Sequence, residues 1–117
     1  MAANLLEAGV PLFVFDTRKE AVESLLVRGP IIVSNPATLA KNVELLFLCL
    51  PFAPEVDEVL FGKNGVATGG RSDLSIVDTT TMYYADSSGF QARLTEVGLS
   101  YSDCPVSGMP FRAETEL

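Results

Sequence analysis

Four short stretches of the chain carry side chains from which chemistry could be built. Asp16 closes an apolar run, Leu12 to Phe15, and Arg18 follows two positions later. A carboxylate so placed can accept hydrogen bonds from the hydroxyls of an adenosine ribose, and a guanidinium beside it can pair with a 2'-phosphate. The same residues read equally well as an ordinary strand-end aspartate and an exposed first-turn arginine. Leu50-Pro51 ends the strongest apolar run of the chain. Asp78 leads into three hydroxyls, Thr79, Thr80 and Thr81, which can hydrogen-bond a ligand or cap a following helix, capping being the commoner use. Asp103-Cys104-Pro105-Val106-Ser107-Gly108 joins a rigid proline turn to a serine hydroxyl and a glycine that allows close backbone approach, a combination suited to a carboxylate.

The inventory excludes several classes of function. There is no histidine, and Cys49 and Cys104 are far apart with no C-x-x-C pair, so neither a zinc centre nor a Cys/His nucleophile can be assembled. Cys49, inside an apolar run, is expected to be buried. Eight Lys and Arg against fifteen Asp and Glu give a net charge of -7. With no basic run, the chain has nothing with which to grip a phosphate backbone, and nucleic acid is excluded as a partner. Leu45 to Leu50 is far short of the ~20 apolar residues that span a bilayer, and no basic segment leads into an apolar one at the N-terminus. No membrane partner is expected, and the chain reads as cytoplasmic. Lys19, Lys41 and Lys63 read as solvated surface charges.

The elements that must position these residues follow from punctuation and periodicity. A helix carrying Ala2, Leu5 and Leu6 stops at Gly9 and Pro11. Strands are predicted at Leu12 to Phe15, Ile31 to Val33, Glu44 to Leu50, Leu74 to Val77 and Leu99 to Tyr101. Between them, a Thr17/Glu20 capping box predicts a helix from about Arg18 to Arg28, Pro36 to Ala40 permits one or two helical turns, and Pro54 opens a helix that Gly62 and Asn64-Gly65 break. Tyr83 to Val97 is helical in pattern but weakened by Gly89. The alternation predicts an α/β fold with a parallel sheet covered on both faces, and 117 residues suit one domain. Ligands of such sheets lie beyond the carboxyl ends of the strands, where the four stretches fall.

Taken in order, these stretches resemble the β-hydroxyacid dehydrogenase family, which includes 3-hydroxyisobutyrate dehydrogenase and is related to 6-phosphogluconate dehydrogenase. Met1 to Gly9 is similar to the helix M-A-x-N-L-x-x-A-G that follows the family's glycine-rich loop, and Val14-Phe15-Asp16 to its next strand. Leu50-Pro51 is similar to the L-P ending the fourth strand, Asp78 to Met82 to D-x-S-T-I, and Asp103 to Gly108 to D-A-P-V-S-G-G. The resemblance implies a Rossmann-like, doubly wound, mainly parallel sheet lacking its first strand and glycine-rich loop. Residues 1–117 would then be a single, partial NAD(P)-binding domain without the family's C-terminal helical domain. It implies hydride transfer between a nicotinamide cofactor and a small β-hydroxyacid, or the corresponding aldehyde or keto acid. Asp16 would hold the adenosine ribose, with NAD the expected cofactor and Arg18 leaving NADP open; Leu50, Pro51 and Thr81 would line the cofactor's path, and Ser107 and Gly108 would bind the substrate carboxylate. Met109 stands where the family has a second glycine. The family's catalytic lysine lies further downstream, so no catalytic residue is expected in this chain, and a non-catalytic remnant serving as a binding module is the alternative reading. A strand run such as Leu12 to Phe15 without its expected neighbour predicts self-association, as a homo-oligomer.

Overall fold

The computed structural model describes residues 1–107, which divide into two compact units, one containing Met1–Ser34 and the other Asn35–Val106. In the first, α1 (Ala2–Glu7) ends at Gly9, whose φ of +83° lets its amide and that of Val10 turn back onto the carbonyls of Leu6 and Leu5. β1 (Phe13–Val14) pairs in parallel with β2 (Ile31–Ile32). The expected helix over 18–28 is broken. α2 covers only Lys19–Glu23, and after a bend a 3-10 turn follows at Leu26–Arg28. The Ser24 hydroxyl donates to the Ala21 carbonyl at 2.8 Å and the Leu25 amide bonds three residues back to Val22, which tightens the chain out of α geometry. The capping box also fails. The Asp16 carboxylate captures the Arg18 amide at 2.8 Å, the helix starts one residue later than the box requires, and Arg18 becomes the N-cap with no side-chain capping bond.

The second unit begins with α3 (Pro36–Asn42), longer than expected because the Asn35 side chain accepts the Thr38 amide at 2.8 Å and Pro36 sits in the first turn. Three parallel strands follow in the order β3-β4-β5: β3 (Leu45–Leu48), β4 (Ser75–Asp78) and β5 (Ser100–Asp103). Their register sets Leu48, Asp78 and Asp103 side by side. α4 (Ala53–Phe61) and α6 (Tyr84–Glu96) are the connecting helices, and α6 runs through Gly89 without interruption. The break expected after Gly62 contains a further short helix, α5 (Val66–Gly69). Leu46, Leu48, Ile76 and Tyr101 turn one face of the sheet onto Val56, Leu60, Phe90 and Leu94. The apolar run of β3 is not buried on both sides as expected: it alternates, and Leu45 and Phe47 are 52% and 46% exposed. An apolar run shows that a strand can be buried, whereas the elements packed on it decide which faces are. Among the described residues no helix is long and apolar enough to cross a membrane.

Candidate functional site

The carboxyl ends of the three strands are stitched together by polar side chains. Beyond Leu48 and Asp78, the Thr79 amide and hydroxyl both donate to the Leu48 carbonyl, at 2.8 and 2.6 Å. The Leu50 amide donates to Thr80 Oγ1 at 3.1 Å, so the turn leading into Pro51 is held by a side chain from the neighbouring strand end. Thr80's own amide donates to Asp78 Oδ1 at 3.0 Å, the Tyr101 hydroxyl donates to Asp78 Oδ2 at 2.7 Å, and the Cys104 amide donates to the Asp78 carbonyl at 2.8 Å. Thr79 and Thr80 therefore do not cap α6, whose N-cap, Tyr83, makes no side-chain bond. Asp78 is fully buried. A carboxylate there is tolerated because both oxygens accept hydrogen bonds from fixed donors. Burial, the bond to Asp78, and the charges of Asp78 and Asp103 push the Tyr101 phenol well above its usual pKa, keeping it a donor.

Of the residues singled out in the sequence, Leu50 and Thr81 thus flank one network, with Leu50 half-buried and Pro51 and Thr81 exposed beyond it. Thr81 also lines a cleft of about 460 Å³ with Phe52, Ala53, Pro54 and Tyr83. Tyr101 was not legible as a site residue, since its role depends on the register that places it beside Asp78's strand. Cys49 is exposed rather than buried, on the alternating positions shared with Leu45 and Phe47.

In the first unit, Asp16 follows β1 and lines a separate cleft of about 540 Å³ with Phe15, Thr17, Val22 and Ile32. Arg18 folds back on it, Nη2 to Oδ2 at 3.3 Å, in addition to the amide bond. Partial burial acts to raise the Asp16 pKa, but the hydrogen bonds from the Arg18 amide and guanidinium, with its charge, outweigh that and hold it below the usual carboxylate value. An ionised carboxylate with lone pairs left over is the donor set's complement to a pair of ribose hydroxyls. Ser107 is exposed, and Gly108 and Met109 lie outside the described residues.

Parallel strands joined by helices, with acidic and hydroxyl side chains gathered at the carboxyl ends, define a Rossmann-like nucleotide-binding architecture. Residues 1–116 match the family model described as the NAD binding domain of 6-phosphogluconate dehydrogenase. The chain is 39% identical over 115 residues to 3-sulfolactaldehyde reductase of Escherichia coli, covering 98% of this chain and 39% of that protein. It is 33% identical over 108 residues to 2-hydroxy-3-oxopropionate reductase of the same organism, covering 92% and 37% respectively. The crystal structure of 3-hydroxyisobutyrate dehydrogenase from Salmonella typhimurium superimposes with a TM-score of 0.85 at 29% identity, covering 96% of this chain and 39% of that one. The chain belongs to the β-hydroxyacid dehydrogenase family, in the part that forms its NAD(P)-binding domain. It spans about 39% of the length of the first of these relatives.

Proposed function

We propose that the chain serves as the dinucleotide-binding part of an oxidoreductase acting on a small β-hydroxyacid, or on the corresponding aldehyde or keto acid, with NAD favoured over NADP. The observation that carries this is the Asp16 carboxylate at the carboxyl end of β1, ionised and facing a cleft. Its free lone pairs suit the adenosine ribose hydroxyls, whereas a 2'-phosphate would meet like charge, and Arg18 would have to leave Asp16 to compensate. Leu50, Pro51 and Thr81 would line the nicotinamide side. Ser107 and Gly108 would receive the substrate carboxylate. When bound, the cofactor supplies a nicotinamide ring that exchanges hydride; the chain's own residues bind and orient it. The relatives named above, two reductases of small oxidised substrates and one hydroxyacid dehydrogenase, support the substrate class.

Titration with NADH and NADPH, followed by amide chemical shifts, tests this. The 117 residues contain no G-x-G-x-x-G loop to cradle a pyrophosphate, so binding to this chain is expected in the millimolar range, with NADH ahead of NADPH. Shifts should centre on Asp16, Leu50 and Thr81. Asp16→Asn should weaken NADH by about tenfold and narrow the gap to NADPH. Equal affinities for the two nucleotides, or shifts at none of the three residues, would refute the reading.

A further inference from the structure

Resting on that reading, we infer that Asp78 and Tyr101 are positioning residues for the nicotinamide end of the site, acting through Thr80 on two separate loops. The bonds run from the Tyr101 hydroxyl to Asp78, from the Thr80 amide to Asp78, and from the Leu50 amide to Thr80 Oγ1. Asp78, Thr80 and Tyr101 are 0%, 2% and 6% exposed, so water does not compete for these bonds. At one end of the network is Leu50, immediately before Pro51. With the Leu50 amide held by Thr80 and the φ of Pro51 fixed by its ring, the turn leaves β3 in one direction. At the other end is Thr81, the first exposed residue after three buried ones, which lines the cleft beside Phe52 and Tyr83. The two loops expected to touch the nicotinamide therefore share one buried anchor.

Packing alone does not require this anchor. Replacing both members of a buried polar pair by apolar groups of similar shape is often nearly neutral for stability. An apolar pair would, however, leave the Thr80 amide without its acceptor and the loop beyond it unfixed. What the polar pair adds is the placement of the loops.

The test compares NADH with ADP-ribose, which lacks the nicotinamide, by amide-shift titration of the full chain and of Tyr101→Phe, Thr80→Val and Thr80→Ser. Thr80→Ser keeps the hydroxyl and Thr80→Val removes it. Tyr101→Phe and Thr80→Val are expected to lower NADH affinity by about fivefold with ADP-ribose affinity unchanged, and Thr80→Ser to retain both. Should Tyr101→Phe fail to fold in thermal melts, the contrast between valine and serine at position 80 carries the test alone. The inference is overturned if NADH and ADP-ribose affinities fall together, if neither falls, or if serine behaves as valine. A wild-type chain that binds NADH with shifts at Asp16, Leu50 and Thr81, while the valine and serine variants at position 80 bind it equally well, would sink this inference and leave the proposed function standing. A wild-type chain that binds neither compound would sink both.

Discussion

Tyr101 and Asp78 show how one hydrogen bond can couple stability to pH. The phenol is held protonated in the folded chain, its pKa raised by burial first and then by the bond to Asp78. In the unfolded chain it ionises near the ordinary tyrosine value of about 10. A group whose folded pKa is raised contributes stability that is fully present below the unfolded pKa and is lost as pH rises above it. The melting temperature is therefore expected to fall as pH is raised from about 9 to about 11, and to fall less steeply in Tyr101→Phe. At neutral pH the same substitution leaves Asp78 Oδ2 without its donor and should cost about 1–2 kcal/mol, read from denaturant melts. A variant whose alkaline slope matches the wild type would show that the phenol does not carry the pH dependence. The Asp16–Arg18 pair has the opposite sign: its depressed pKa gives stability present above the usual carboxylate value and lost on acidification. Exposed as Arg18 is, that contribution is small.

Among the elements, α5 owes its place to a glycine. A Cβ built on Gly69 would overlap the Ala37 carbonyl of α3, a backbone group that cannot swing aside. Gly69→Ala should force α3 and α5 apart and lower stability by about 1–3 kcal/mol in chemical denaturation; a neutral result would mean that the two helices slide freely. This helix was illegible in the sequence, where Gly62 and Asn64-Gly65 read only as breakers, because four residues with two small side chains carry no periodic signal. Elements announced by local chemistry fared better. Pro54 opens α4, Gly9 closes α1 at positive φ, and the strands ending in Asp78 and near Asp103 fall close to their apolar runs. The helix over 18–28 was misread because its periodicity was right while Asp16 and Ser24, hydrogen-bonding locally, reset both its start and its end. The candidate site divides the same way. Asp16, Leu50 and Thr81 were legible as strand-end residues, whereas Tyr101 and the link from Thr80 to Leu50 required the register of β3, β4 and β5, which no single segment encodes.

At the scale of the whole molecule, burial among the described residues is confined to one unit. Every fully buried residue among those described lies between Ala37 and Tyr101, and none of residues 1–34 is fully buried. The β1–β2 pair is two residues long on each side, and Ile31 and Ile32 are exposed. Such a ladder opens locally, whereas β4, paired on both sides and packed through Ile76, opens only when the core does. Native-state hydrogen exchange should therefore separate the units. The amides of Ile31 and Val33, bonded to Leu12 and Val14 at 2.9 and 3.1 Å, are expected to exchange at least about a hundredfold faster than those of Ile76 and Val77. Addition of NADH should slow Ile31 and Val33, because a ligand held at Asp16 raises the cost of opening the β1–β2 ladder. Equal protection across all four amides would show a single cooperative unit. Ile31 and Val33 exchanging at the same rate with and without NADH would show that the nucleotide is not held at the end of β1.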